Sequence, residues 1–276
     1  DSNTNKAIKL FNGYIVSFPN GKQLLKAHFY LAELYYKATL SANALPHYQY
    51  VCSQAPSEFT ETALFKTSEI LLESEAFDEA LVILLRLDTE ARNPQNRLYA
   101  QSNLMKVNFR FNDFDAAIRY AEMILKNSKT DSYIKSDAYI IIARAAMQTN
   151  EEMKARAAYQ QVKSIATGEM GAEAQYYEAY FSYIDGAFEA SNQSVQILIK
   201  NFSSHKYFAS KGLIIMAKNF YALGDDFQAT YILENITQNF ADFKEVVDEA
   251  QLELERIKLE VAKTNSSLET DIENEN

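Results

Sequence analysis

The five residues AFDEA at 76–80 recur as DFDAA at 113–117 and as AFEAS at 187–191, with the variant DFQA at 226–229. The first three copies end on a small residue that has apolar residues four and seven positions later, which places the three side chains on one helical face. The same spacing can be followed over most of the chain. It starts from small anchor residues 36 to 38 positions apart, Ala7, Ala44, Ala80, Ala117, Ala155, Ser191 and Ala229. A steady period of this length predicts a tandem repeat.

A second helical pattern precedes each complete copy of the first. In the first unit it reads Leu31, Ala32 and Tyr35, and a similar pattern ends at Gly224 in the last unit. Small residues in both patterns predict two closely packed helices per unit. One helix hairpin cannot bury both of its apolar faces, so neighbouring hairpins must stack. The sequence therefore predicts an all-α fold, an α-solenoid of stacked antiparallel helix hairpins.

Over residues 7–240 these patterns resemble the tetratricopeptide repeat (TPR) family, whose second helix carries small, aromatic, apolar and proline positions and whose first helix carries Leu-Ala-x-x-Tyr. The resemblance implies a right-handed superhelix. The units are longer than the usual 34 residues and look more like variants in bacterial envelope proteins such as BamD and CpoB. Two features depart from the family. His28 and Gln101 replace an early aromatic residue, and Glu178 and Ser182 stand where apolar residues are expected.

The repeat divides the chain into four segments. Residues 1–21 are expected to be the second helix of a truncated repeat, and residues 22–241 to form five to six hairpins. Residues 242–263 are expected to be an amphipathic capping helix, and residues 264–276 a disordered acidic tail. Because the first helix of the first unit is missing, we expect the chain to be the C-terminal part of a larger array. Its exposed N-terminal helix could then drive self-association.

Composition excludes several classes of protein. The net charge is −10, from 37 acidic and 27 basic residues, which disfavours nucleic acid as a partner. Seven glycines and four prolines are too few for a loop-rich β fold. No apolar run is long enough for a membrane span. The single cysteine, Cys52, excludes an internal disulfide and leaves the compartment open.

No catalytic, cofactor or metal site is expected. The three histidines, His28, His47 and His205, lie in different helices or units, and no set of four converging metal ligands is visible. The scattered glycines match no phosphate or dinucleotide loop. The acidic pairs at 151–152 and 225–226 stand ahead of predicted second helices, where acids cap a helix N-terminus.

The TPR resemblance implies that first helices line a concave groove that binds peptides. The residues expected on that face are Phe29, Tyr36, Phe65, Tyr99, Phe109, Arg144, Tyr176, Tyr180, Tyr183, Lys218 and Tyr221. Chaperone-type members grip a C-terminal carboxylate with Lys and Asn, but here Phe29, Glu33, Phe65 and Glu69 occupy that face. An extended or helical apolar peptide is the expected ligand. The three tyrosines of the fifth unit could instead belong to the core.

Two functions stay open at this point. The first is a non-catalytic protein–protein interaction scaffold serving a bacterial cell-envelope complex, located in the periplasm or at the outer membrane. The second is a regulatory or substrate-recruiting arm of a larger enzyme, with a cytoplasmic location as the alternative. The sequence upstream of this chain would distinguish them.

Overall fold

A computed structural model describes residues 2–274, with side chains described for residues 3–263. Over this range the chain is all-α and contains fourteen helices and no strand. The helices divide into two compact units, up to Thr130 and from Asp131 onward. The predicted fold class, an all-α solenoid of helix hairpins, is confirmed.

The first unit contains seven helices, and α1 stands ahead of the first complete hairpin. The next six form the hairpins α2/α3, α4/α5 and α6/α7. Their bounds are α1 Ser2–Ser17, α2 Leu24–Lys37, α3 Ser41–Ser53, α4 Thr60–Glu73, α5 Phe77–Glu90, α6 Pro94–Arg110 and α7 Phe114–Lys126.

The second unit also contains seven helices. Six form the hairpins α8/α9, α10/α11 and α12/α13, and α14 packs against the last of them. Their bounds are α8 Ser132–Gln148, α9 Glu152–Ile165, α10 Gly168–Ile184, α11 Phe188–Asn201, α12 Lys206–Ala222, α13 Asp226–Asn239 and α14 Lys244–Asn274. The helix α14 thus continues past residue 263, where the capping helix was expected to end. The disordered tail expected at residues 264–276 stays a prediction, because the side chains of these residues lie outside the described range.

The anchor residues lie on the buried sides of the second helices, except for Ala7. Six of the seven are fully buried, together with the apolar residues four and seven positions later in each of their helices, whereas Ala7 is only half-buried. A small residue also lies where a second helix, α11, packs against the first helix of the next hairpin, α12. A Cβ atom on Gly212 of α12 would lie 2.9 Å from Leu198 of α11. Small residues therefore set the distance between helices.

All six hairpins turn through one residue with a positive φ angle. These residues are Thr39, Glu75, Asn112, Asn150, Gly186 and Gly224, with φ between 57° and 84°. In each turn the following N–H donates to a carbonyl near the end of the first helix, as Leu40 N–H does to Tyr35 at 2.9 Å. The backbone conformation repeats even where the side chain does not. Only two of the six turns use glycine, the residue that adopts this conformation most readily.

Helix capping confirms one acidic pair and corrects the other. Asp225 accepts a hydrogen bond from the backbone N–H of Gln228 at 3.0 Å and so caps α13. Glu151 makes no such bond at the start of α9. Its carboxylate instead accepts from the Thr149 hydroxyl at 2.9 Å, because the longer glutamate side chain reaches back across the turn. Asp113 and Asp131 cap α7 and α8 in the way that Asp225 caps α13.

Candidate functional site

The eleven residues expected on the partner-binding face all lie on first helices, and all are half-buried. Half-burial is what a surface needs if it is to hold its side chains in place and still expose them. The helices α2, α4 and α6 carry five of them in the first unit, and α8, α10 and α12 carry six in the second. We call these sets the inner face of each unit.

Aromatic rings pack in pairs along the inner face of the first unit. Phe29 of α2 stacks on Phe59 with ring centroids 4.5 Å apart. Phe65 of α4 lies 4.6 Å from Tyr99 of α6. Burial raises the pKa of Tyr99 to about 12, so its phenol stays neutral at physiological pH. The ring pairs form a preorganised apolar surface that spans successive first helices.

Carboxylates lie beside these rings and are held by hydroxyl groups. Tyr36 donates to Glu69 at 2.8 Å, and Tyr48 donates to Glu33 at 2.6 Å. The ammonium of Lys66 also donates to Glu69 at 2.8 Å and lies 4.1 Å from the Tyr36 ring centroid. Burial, followed by the bond to Glu69, raises the pKa of Tyr36. The inner face of the first unit thus presents carboxylates beside its aromatic rings.

Phe109 does not join the other rings of the first inner face. Its ring packs instead on Phe114, 5.6 Å away across the α6–α7 turn. The residue lies one position before the last residue of α6. The helical spacing that placed it on this face did not account for the turn that folds α7 back against it.

Arg144 in the second unit is already paired. Its Nε donates to Glu173 Oε1 at 2.9 Å, and the Tyr159 hydroxyl donates to the same oxygen at 3.0 Å. Glu173 is only 4% exposed on α10. Sequence reasoning missed this carboxylate, because it expected only small and apolar residues in the interior of the fifth unit. Its only sequence signal is a glutamate among alanines and a glycine at 171–174.

The three tyrosines of α10 lie between the core and the surface. Tyr176, Tyr180 and Tyr183 pack around a buried cluster that includes Ala179 and Val195. Tyr176 also lies 6.1 Å from the ring of Phe208 on α12. Tyr176 therefore bridges successive first helices, as the Phe65–Tyr99 pair does in the first unit.

Lys218 and Tyr221 contact the C-terminal helix. The Lys218 ammonium lies 3.1 Å from Glu249, and the Tyr221 hydroxyl donates to Glu260 at 2.6 Å. Arg256 lies over the Tyr221 ring at 5.1 Å. These two residues of α12 thus serve the packing of α14, which continues the stack of first helices.

Two histidines that appeared unrelated in the sequence meet in the first hairpin. Nδ1 of His28 on α2 lies 2.9 Å from Nδ1 of His47 on α3. His28 also stacks on Tyr50 at 3.8 Å. Burial and the neighbouring His47 lower the pKa of His28 to about 4, and burial lowers that of His47. The pair is neutral at pH 7, with one ring donating and the other accepting.

The described part of the chain contains no cluster of His, Cys, Asp and Glu suited to a metal ion. Within the same part, no helix has the length and apolar character needed to cross a bilayer.

Known structures resemble this architecture along nearly its whole length. The C-terminal part of a TPR repeat-containing protein from Cytophaga hutchinsonii matches with a TM-score of 0.62 and 16% identity, covering 89% of this chain and 94% of that chain. The fold is that of the tetratricopeptide repeat proteins. PilW, a type IV pilus biogenesis factor, matches with a TM-score of 0.51 and 15% identity over 84% of this chain and 100% of that chain. No protein-family model and no curated protein matches the sequence.

Proposed function

We propose that this chain is a non-catalytic scaffold that binds protein partners on the inner faces of its repeats. The observation that carries the proposal is the row of half-buried aromatic rings on α2, α4 and α6. A row of rings left half-exposed along successive helices offers a partner apolar area at low entropic cost, because each ring is already fixed by its neighbours.

The chemistry of the face favours an apolar segment as the ligand. Phe29, Phe65 and Tyr99 supply flat apolar surface, while Glu33 and Glu69 would repel a terminal carboxylate. An extended or helical peptide that presents two or three apolar side chains fits these rings. The second inner face offers Tyr176, Tyr180 and Tyr183 for the same purpose.

We further propose that the scaffold serves a bacterial cell-envelope complex, in the periplasm or at the outer membrane. The long repeat unit of 36 to 38 residues supports this placement, as does the likeness in fold to a pilus biogenesis factor. Fractionation of cells that produce the natural protein would test it. Recovery in the cytoplasmic fraction alone would refute the envelope placement without touching the scaffold proposal.

Peptide binding to the full chain tests the scaffold itself. Peptides selected from a random library on the immobilised chain should bind in solution, and Phe65→Ala should weaken them by roughly tenfold, the usual effect of losing an aromatic anchor. Phe111→Ala is the matched control, because Phe111 is exposed at the α6–α7 turn of the same unit. Equal weakening by both variants, or a failure to select any binding peptide, would contradict the proposal.

A further inference from the structure

Tyr48 of α3 supports the inner face of the first unit from within the hairpin. Its ring lies 6.4 Å from that of Phe29 and 6.3 Å from that of Tyr36, both in edge-on contacts. Its hydroxyl donates to Glu33 of α2 at 2.6 Å, and its side chain is fully buried. The arrangement of these α2 side chains therefore depends on how α3 lies against α2.

The histidine pair joins the same two helices at the adjacent positions. His28 directly precedes Phe29, and His47 directly precedes Tyr48. The two Nδ1 atoms lie 2.9 Å apart. The contact that holds the two helices together is thus one residue away from the rings that form the inner face.

The pair can keep its hydrogen bond with one added proton but not with two. When the donating ring takes a proton on Nε2, its Nδ1–H still donates to the other ring, and the bond becomes charge-assisted. A second proton places an N–H on Nδ1 of both rings. Two donors then face each other across 2.9 Å, so the contact must open.

The helices around the pair offer no carboxylate that stabilises an added proton. The helix α3 contains no charged residue. The charged side chains of the helices packed against the hairpin and of α2 itself are Lys6 and Lys9 of α1, Lys26, Glu33 and Lys37 of α2, and Glu61, Lys66, Glu69 and Glu73 of α4. None of these carboxylates raises the pKa of either histidine. Burial and then the neighbouring His47 lower the pKa of His28, and burial lowers that of His47.

We propose that the His28–His47 pair is a proton-operated latch on the binding surface of the first unit. With at most one added proton it holds α3 against α2, so that Tyr48 keeps Phe29 and Tyr36 in their binding arrangement. The second proton opens the contact and releases a ligand from the inner face of the first unit. This regulation rests on the proposed function, because it acts on the ligand bound there.

Proton linkage sets the size of the effect. The pKa of His28 is about 4 in the closed hairpin and returns to the ordinary value of about 6.5 when the ring meets water. The closed form is therefore favoured above pH 6.5 and loses its advantage as the pH falls. At pH 5 the ratio of open to closed hairpin should have risen roughly thirtyfold for this histidine alone.

Hydrogen exchange at pH 7.5 and pH 5, corrected for intrinsic exchange rates, tests the latch without a ligand. Amides of α2 and α3 should open roughly thirtyfold more often at the lower pH, relative to amides of α12 and α13, which contain no histidine. The double variant His28→Gln/His47→Gln should lose this difference, because two amides can hydrogen-bond but cannot take up a proton. His205→Gln is the control and should behave as the wild type does.

A peptide selected on the wild-type chain at pH 7.5 tests the release. The peptide is chosen without His, Asp or Glu, so that it does not titrate itself. Its affinity for the wild type should fall about fivefold or more at pH 5 and should change little for the double glutamine variant. His28→Phe/His47→Leu replaces that variant if circular dichroism shows that it has lost helix content.

The two measurements separate failure of the latch from failure of the binding function. Exchange in α2 and α3 that follows α12 and α13 at both pH values would overturn the latch, and so would an equal loss of affinity in the wild type and the double variant. If the exchange difference is present but no peptide can be selected, the binding function is contradicted, and the release of a ligand is overturned with it.

Discussion

At the scale of the residue, the turn between the two helices of each hairpin stores strain. Thr39 and Glu75 adopt positive φ angles of 58° and 57°, a conformation that costs a residue with a Cβ atom roughly 1–2 kcal/mol. The cost is greatest for Thr39, because its side chain is β-branched. The surrounding backbone hydrogen bonds hold the turn in place regardless of the side chain.

We expect Thr39→Gly to stabilise the chain by about 0.5–1 kcal/mol, because glycine relieves the strain but loses more entropy on folding. Chemical denaturation of both proteins measures the difference. Ala38→Gly is the control, since Ala38 has a φ of −85° and gains nothing from glycine. A Thr39→Gly variant that is less stable than the wild type would contradict the argument.

The histidine pair predicts a loss of stability in mild acid. The folded pKa of His28 is about 4, below the ordinary value of about 6.5. Between pH 6.5 and 4 the unfolded chain therefore binds protons that the folded chain does not, and the free energy of unfolding falls as the pH falls. Protonation of both rings would also set one N–H against the other across the 2.9 Å contact.

Thermal melts at pH 7.5 and pH 5 measure this effect. The fall in Tm between the two values should be smaller in the double variant His28→Phe/His47→Leu than in the wild type. His205→Gln, which alters the third histidine, should behave as the wild type does. An unchanged fall in the double variant would assign the acid sensitivity to other groups.

The ion pair of Arg144 and Glu173 should respond asymmetrically to substitution. The Glu173 side chain is 5% exposed and that of Arg144 is 40% exposed. Loss of the arginine therefore leaves a buried carboxylate without its counter-charge and with only the Tyr159 hydroxyl as a donor, whereas loss of the charge on Glu173 leaves an arginine that water can reach. We expect Arg144→Ala to cost about 2–3 kcal/mol and Glu173→Gln clearly less, as measured by denaturant unfolding. Equal losses of stability in the two variants would show that the difference in burial between Glu173 and Arg144 does not determine the cost of removing either partner.

At the scale of the element, small residues determine how closely the helices of a hairpin pack. Ala117 is fully buried on α7, and a leucine at this position would have to displace a neighbouring helix.

Ala117→Leu should cost roughly 1–3 kcal/mol, the usual penalty for overpacking, measured by thermal or denaturant unfolding. Ala42→Leu is the control, because Ala42 is exposed on α3 and a leucine there meets only solvent. A neutral Ala117→Leu variant would show that the anchor position is wrongly placed.

At the scale of the whole molecule, stacked hairpins contact mainly their neighbours, so damage should stay local. Hydrogen exchange of Ala117→Leu should show faster exchange in α6 and α7, which pack together, and little change in α12 and α13. A uniform increase across all helices would mean that the array unfolds as one cooperative body.

The sequence determined the fold class, because the period of the repeat and the apolar positions at offsets of four and seven fully specify two helices per unit. The burial of Ala80, Leu84 and Leu87 follows from that pattern alone. Positions on the first helices were also predictable, since helical geometry links spacing to a common face.

Only the tertiary structure decided what those positions contact. The meeting of His28 with His47, the burial of Glu173 against Arg144 and the pairing of Lys218 with Glu249 join residues 19 to 31 positions apart. The positive φ angles of the turns could not be predicted either, because Thr39 and Glu75 are not residues that favour this conformation as glycine does. The physical reason is common to all of these features. Helical periodicity is a local property of the chain, whereas polar partners and strained turns depend on where the packing of neighbouring helices places each backbone.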